Sequence, residues 1–150
     1  MKLKLFLSSL LFSVLLSCNA VKTAVYDQYS YQQTISLKVE SEALIENATD
    51  NFSNHEAEVN DLVLELKKIV EYEKNKPNNE ITYAMIKLMA DQDKNLLAGF
   101  LKRWENEQQL SQVFTNEAKA QIMEAFDLII KYEANKNKEN KQSILDYLGN

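Results

Sequence analysis

Two glycines, one proline and one cysteine in 150 residues leave little material for several common designs. A single thiol cannot form an intramolecular disulfide, and with one histidine it cannot complete a zinc ribbon. Two glycines do not build a Gly-rich phosphate cradle. Arginine is nearly missing: Arg103 stands against sixteen lysines. Its planar fork is the group suited to bidentate phosphate and carboxylate recognition. With 17 basic residues against 22 acidic ones, the net charge is −5 and no basic surplus exists, which argues against a nucleic-acid partner. The remainder is 45% apolar and 26% charged, a globular composition of a length suited to one domain.

The first residues read as an address rather than as fold. Lys2 and Lys4 form a short positive head, and residues 5–16 are an apolar run of twelve broken only by serines. A helix crossing about 30 Å of hydrocarbon needs about 20 apolar residues. The run is too short for that and has the form of a secretory signal. It ends in Leu15-Leu16-Ser17-Cys18, and Cys18 is the chain's one cysteine. This resembles the lipobox of bacterial lipoproteins. The resemblance implies cleavage before Cys18, fatty acyl chains of the palmitate class on its sulfur, and often acylation of its new amine. It implies a lipid-anchored protein of the bacterial cell envelope. Asn19 stands where an Asp would retain a lipoprotein in the inner membrane, so the outer membrane is favoured, on its periplasmic face. Cleavage after Ala20, releasing a chain with no cysteine, is the alternative. One acyl chain holds a protein marginally, and two or more hold it stably. Loss of Lys2 and Lys4 leaves 15 basic residues against 22 acidic ones, a net charge of −7. The lipid, not a polybasic surface, then does the holding.

The expected domains are a signal peptide over 1–17, a lipidated cysteine with tether and start of the first helix over 18–33, and one helical bundle over 34–150. No Gly or Pro occurs between Asn19 and Lys76, which favours helix over a turn-rich sheet. Ile45, Phe52, Val59 and Leu66 recur every seven residues, interleaved with Ala48, His55, Leu62 and Ile69. This pattern is a seam along one helical face. It predicts a first helix over about 27–75, about 70 Å long at 1.5 Å per residue. A break near 49–54, giving four helices, is the alternative. A second helix is predicted over 79–106, apolar on two sides and carrying Gly99, a residue suited to close helix approach. Residues 108–114 are predicted to tuck Leu110, Val113 and Phe114 into the core. Thr115 then caps a third helix over 116–136, residues 136–141 form a solvated run, and Ser143 caps a short last helix. The fold class is all-α, an antiparallel bundle of three main helices with a long first one. A helical body behind a lipobox resembles the small helical lipoproteins of bacteria, a likeness that implies location and anchoring but no activity.

Catalytic constellations are missing from the pattern. No G-x-S-x-G elbow exists, and the one imidazole, His55, lies on the apolar seam. A di-iron bundle needs two Glu-x-x-His pairs. His55 is therefore read as a partly buried ring with a hydrogen-bond partner, not as a metal ligand. Glu40, Glu42, Glu46, Glu56, Glu58, Asp61, Glu65, Glu71 and Glu73 are read as a solvated face. An echo at an offset of sixty aligns Ile69, Tyr72, Glu73, Asn75 and Lys76 with Ile129, Tyr132, Glu133, Asn135 and Lys136. It is read as likeness between two amphipathic helices with Lys/Asn-rich ends. Trp104 lies on an apolar stripe and is expected in the core. Tyr26, Tyr29 and Tyr31 have the weakest structural reason to exist and are the expected partner-facing patch. The sum predicts no catalytic residue, no metal and no cofactor beyond the lipid on Cys18. The chain is expected to be a non-enzymatic, membrane-tethered protein that binds another envelope protein. A bundle holding a small ligand or metal in the periplasm is the alternative.

Overall fold

The computed structural model describes residues 23–149, so the signal peptide and Cys18 lie outside the described residues. Six α-helices occur within them: α1 (Gln28–Glu46), α2 (Glu56–Asn75), α3 (Glu80–Met89), α4 (Leu97–Glu107), α5 (Gln112–Ala134) and α6 (Lys138–Gly149). Two 3-10 turns, Asn47–Thr49 and Phe52–Asn54, join α1 to α2, and no strand occurs among the described residues. The all-α expectation holds. The count of three main helices with a long first one does not, because both long predicted helices are cut.

The first cut falls where polar side chains compete for the backbone. Asp50 accepts the Asn51 N–H at 2.7 Å, and Asn51 accepts the Ser53 N–H at 3.0 Å. Such local bonds offer the chain a turn in place of another helical step. α2 then folds back along α1, with the break at the place named by the four-helix alternative. The seam survives it: Ile45, Ala48, Phe52, Val59, Leu62, Leu66 and Ile69 are all buried. The second cut separates α3 from α4. Asp91 accepts the Asp93 N–H at 2.9 Å, and its carbonyl takes the Lys94 N–H at 3.3 Å. Gly99 answers that loop. A Cβ there would overlap the Lys94 carbonyl oxygen, with the carbonyl carbon at 3.0 Å and the Gln92 oxygen at 3.4 Å. The glycine lets the loop lie directly on α4.

α1, α2, α3 and α5 pack in a cycle, each touching the next, and α6 closes against α3 and α5. Antiparallel neighbours are evident from the pairs across them. Lys38 on α1 meets Asp127 on α5, while Lys119 early on α5 meets Glu42 late on α1 at 2.9 Å. Thr82 at the start of α3 meets Glu133 at the end of α5. The face that α1 buries is Ser30, Thr34, Leu37, Ser41, Leu44 and Ile45. Its small hydroxyl residues let the backbone approach α5 closely, and Thr34 satisfies its hydroxyl on the Ser30 carbonyl at 2.8 Å.

Two further boundaries differ from expectation. α5 begins at Gln112, capped by Ser111, whose hydroxyl accepts the Phe114 N–H at 3.3 Å; Thr115 is a buried residue inside the helix. Val113 consequently faces outward, 69% exposed, rather than entering the core. α6 begins at Lys138, where Asn137 accepts the Asn140 N–H at 2.8 Å, five residues before Ser143. At the α1–α2 break the connections interlock. The Leu110 N–H donates to the Ala48 carbonyl at 2.8 Å, and the buried Trp104 indole donates to the Asp50 carbonyl at 3.1 Å.

Candidate functional site

The end of the bundle where the chain enters is built around charge. Residues 23–27 cross it: the Ala24 N–H donates to the Asn78 carbonyl at 2.8 Å, and Ala24 is buried. Asp27 caps α1, accepting the Tyr29 N–H at 2.9 Å, and its second oxygen accepts the Tyr72 hydroxyl at 2.6 Å. Behind it lies Lys76, its side chain only 12% exposed. Its Nζ sits 3.5 Å from Asp27, 3.0 Å from Glu73 and 3.8 Å from Glu133, and donates to the Ser30 hydroxyl at 2.6 Å. Lys136 pairs with Glu133 at 2.7 Å, Thr82 donates to the same carboxylate, and the Asn79 amide donates to the Glu73 carbonyl at 3.1 Å.

Glu73 and Glu133 are fully buried, so Glu73 does not belong to the solvated face assigned to it. Lys136 and Asn140, expected in a solvated run, are also nearly covered. The echo at sixty residues has a structural counterpart here. In each copy a buried Glu pairs with the Lys three residues on, and that Lys lies over the Tyr preceding the Glu, at 5.8 Å for Tyr72 and 5.4 Å for Tyr132. Lys76 bridges the two copies. Ionised carboxylates are costly to bury unless paired, so the two lysines are what make these positions tenable. Glu133 Oε2 makes no hydrogen bond and meets Lys76 only as a charge at 3.8 Å. Chemically this is a clamp: two ammonium groups, Lys76 and Lys136, hold three carboxylates, and it joins the ends of α1, α2, α3 and α5.

The rim of the clamp titrates abnormally. Partial burial works to raise the Asp27 carboxyl, but the Tyr72 hydrogen bond and the Lys76 charge outweigh it and hold it below the ordinary value. The same bond to Asp27, with burial and the carboxylate charge, pushes the Tyr72 phenol up to about 12.

The predicted tyrosines gather beside this end. Tyr26 and Tyr29 are exposed, and Tyr31 is half-buried. Tyr26 and Tyr31 lie 6.1 Å apart, and Tyr29 packs on Tyr72 at 4.5 Å. Tyr72 was missed as a member, although the echo singles it out. His55 is partly buried, 3.3 Å from Asp50 and 5.4 Å from the Trp104 ring. Trp104 is fully buried, as expected. Among the described residues no group of three or more His, Cys, Asp or Glu could hold a metal, and no helix is long and apolar enough to cross a membrane.

A second feature lies on the flank. A cleft of about 460 Å³ runs between α2 and α4, floored by Phe52, Val59, Leu66, Ala98 and Leu101. Glu56 and Glu105 rim it where α2 begins and α4 ends; Lys102, paired with Asp93 at 3.2 Å, lies one turn from Glu105, and Lys67 lies further along α2. An apolar floor under a rim of both charges suits an amphipathic ligand. Comparison with protein-family profiles, curated proteins and solved structures found no match.

Proposed function

We propose that this protein is a lipid-anchored component of the bacterial cell envelope, held through acylated Cys18, whose helical body binds another envelope protein and performs no catalysis. The observation that carries the binding role is the α2–α4 cleft. Its apolar floor offers a surface to one face of an amphipathic partner helix, and Glu56, Lys67 and Glu105 on its rim offer that helix charged contacts. The lipobox supports the anchor, which raises the local concentration of the body at the membrane and lets a modest contact suffice.

The test is photo-crosslinking in the native envelope from Asn60, an exposed residue of the cleft, with Val113 on α5 as the remote position. The expected result is one dominant adduct from position 60. It should be absent from position 113, lost on Val63→Glu in the cleft wall, and lost when Cys18→Ala removes the anchor. Adducts equal at the two positions would refute the cleft as the binding surface. Unchanged fatty-acid labelling of Cys18→Ala would refute the lipoprotein assignment. A cleft that instead retained a small molecule through purification would favour the ligand-binding alternative.

A further inference from the structure

We infer that the aromatic end of the bundle is a membrane-resting surface, and that Val25, Tyr26, Tyr29 and Tyr72 lie in the lipid interface rather than against a protein. The inference rests on the lipid anchor at Cys18 proposed above. Five residues, and so six Cα–Cα steps, separate Cys18 from Ala24, which is pinned to Asn78 across the end of the bundle. At most about 3.4 Å per residue, they place that end within about 20 Å of the acylated sulfur. The nearest part of the body to the bilayer is therefore this end and no other.

The same end exposes apolar side chains. Val25 is 83% and Tyr26 57% exposed, and Tyr29 and Tyr72, packed on one another at 4.5 Å, are exposed at the same end. A cleft of about 540 Å³ opens between these residues and the α2–α3 turn. Tyrosine, with an apolar ring and a polar tip, is enriched at the headgroup level of membranes. Behind the rim two lysines, Lys76 and Lys136, face three carboxylates, Asp27, Glu73 and Glu133, so no surplus of positive charge lies there. The contact accordingly rests on the apolar side chains and does not call on anionic lipid. The resting surface leaves the α2–α4 cleft on the flank, free for a partner.

The test uses full-length, acylated protein in phosphatidylcholine vesicles, with and without phosphatidylglycerol, each prepared with plain or brominated acyl chains. Tyr26→Trp adds an emitter at the aromatic end. Trp104 is buried and far from it, and Val113→Trp reports the opposite end. The expected result is that Tyr26→Trp loses emission in brominated vesicles of either composition, while wild type and Val113→Trp do not. Quenching of Tyr26→Trp no greater than that of Val113→Trp, with fatty-acid labelling of Cys18 intact, would overturn the resting surface and leave the anchor standing. Absence of labelling would overturn the anchor itself. Quenching that required phosphatidylglycerol would overturn the apolar character of the contact.

Discussion

Replacing Lys76 by methionine is the sharpest test of the buried clamp. The methionine keeps most of the stem and removes the ammonium that faces Glu73 at 3.0 Å, Asp27 at 3.5 Å and Glu133 at 3.8 Å. Glu133 retains Lys136, but Glu73 then keeps only its Asn79 bonds, with no other cation within 4 Å among the described residues. Removing one partner of a buried pair costs about 3–5 kcal/mol, against about 0–1 kcal/mol for an exposed pair. Domains of this kind hold about 5–15 kcal/mol in total, so Lys76→Met should remove a large share of it. The internal control is Lys74→Met, which breaks an exposed pair with Glu71 at 3.5 Å in the last turn of α2, two residues before Lys76. The assay is urea unfolding followed by far-UV circular dichroism and Trp104 emission. Lys76→Met/Glu73→Gln should recover at least about 1 kcal/mol of the single-mutant loss, because the uncompensated charge is gone. A cost for Lys76→Met no larger than that for Lys74→Met would refute the reading of these groups as a stabilising clamp.

Other perturbations separate pattern from packing. Gly99→Ala should destabilise by about 1–2 kcal/mol by the same assay, because overlap with the Lys94 carbonyl exceeds the gain of about 1 kcal/mol in helix propensity. A stabilised Gly99→Ala would show that the α3–α4 loop does not lie on α4. Tyr72 has a raised folded pKa, so its contribution is full below the ordinary phenol range and is lost as pH climbs toward about 12. Asp27 has a lowered one, so its contribution is full above the ordinary carboxylate range and is lost as pH falls through the folded value. Tyr72→Phe should therefore flatten the alkaline loss and move the acid unfolding midpoint to higher pH, as read from unfolding at a series of pH values. His55→Gln should lower stability slightly by urea unfolding, through loss of ring packing on Trp104, and leave bound metal unchanged, as checked by metal analysis of the two purified proteins.

The part of the fold that was legible from sequence is the part encoded by apolar periodicity. The seam from Ile45 to Ile69 and the burial of Trp104 and Ile129 follow from large apolar side chains at helical spacing, and all but the partly buried His55 are buried. α1 was harder to read for the same reason. Its inner face carries Ser30, Thr34 and Ser41, residues whose burial is driven by close backbone approach and leaves no trace in a hydrophobic pattern. The helix breaks were also faint, since the Asp, Asn and Ser side chains that turn the chain at 50–53 and 91–93 are equally common on solvated helical faces.

The candidate site divides in the same way. Tyr26 and Tyr29 were singled out because nothing in the helical pattern required them, and they are exposed at the chain's entry to the bundle. Glu73 and Lys136 were read as solvated, and Lys76 and Glu133 only as parts of an echo between two helices, because a carboxylate paired at three residues' distance has the same sequence whether water or protein surrounds it. Sequence by itself determined the helical class, the core residues and the motif at Cys18, since each depends on side-chain chemistry and local spacing. Only the tertiary structure decided which charges are buried, where the helices turn and that Lys76 ties two distant segments together. Those outcomes depend on what lies across the bundle from each residue, and spacing along one helix carries no record of it.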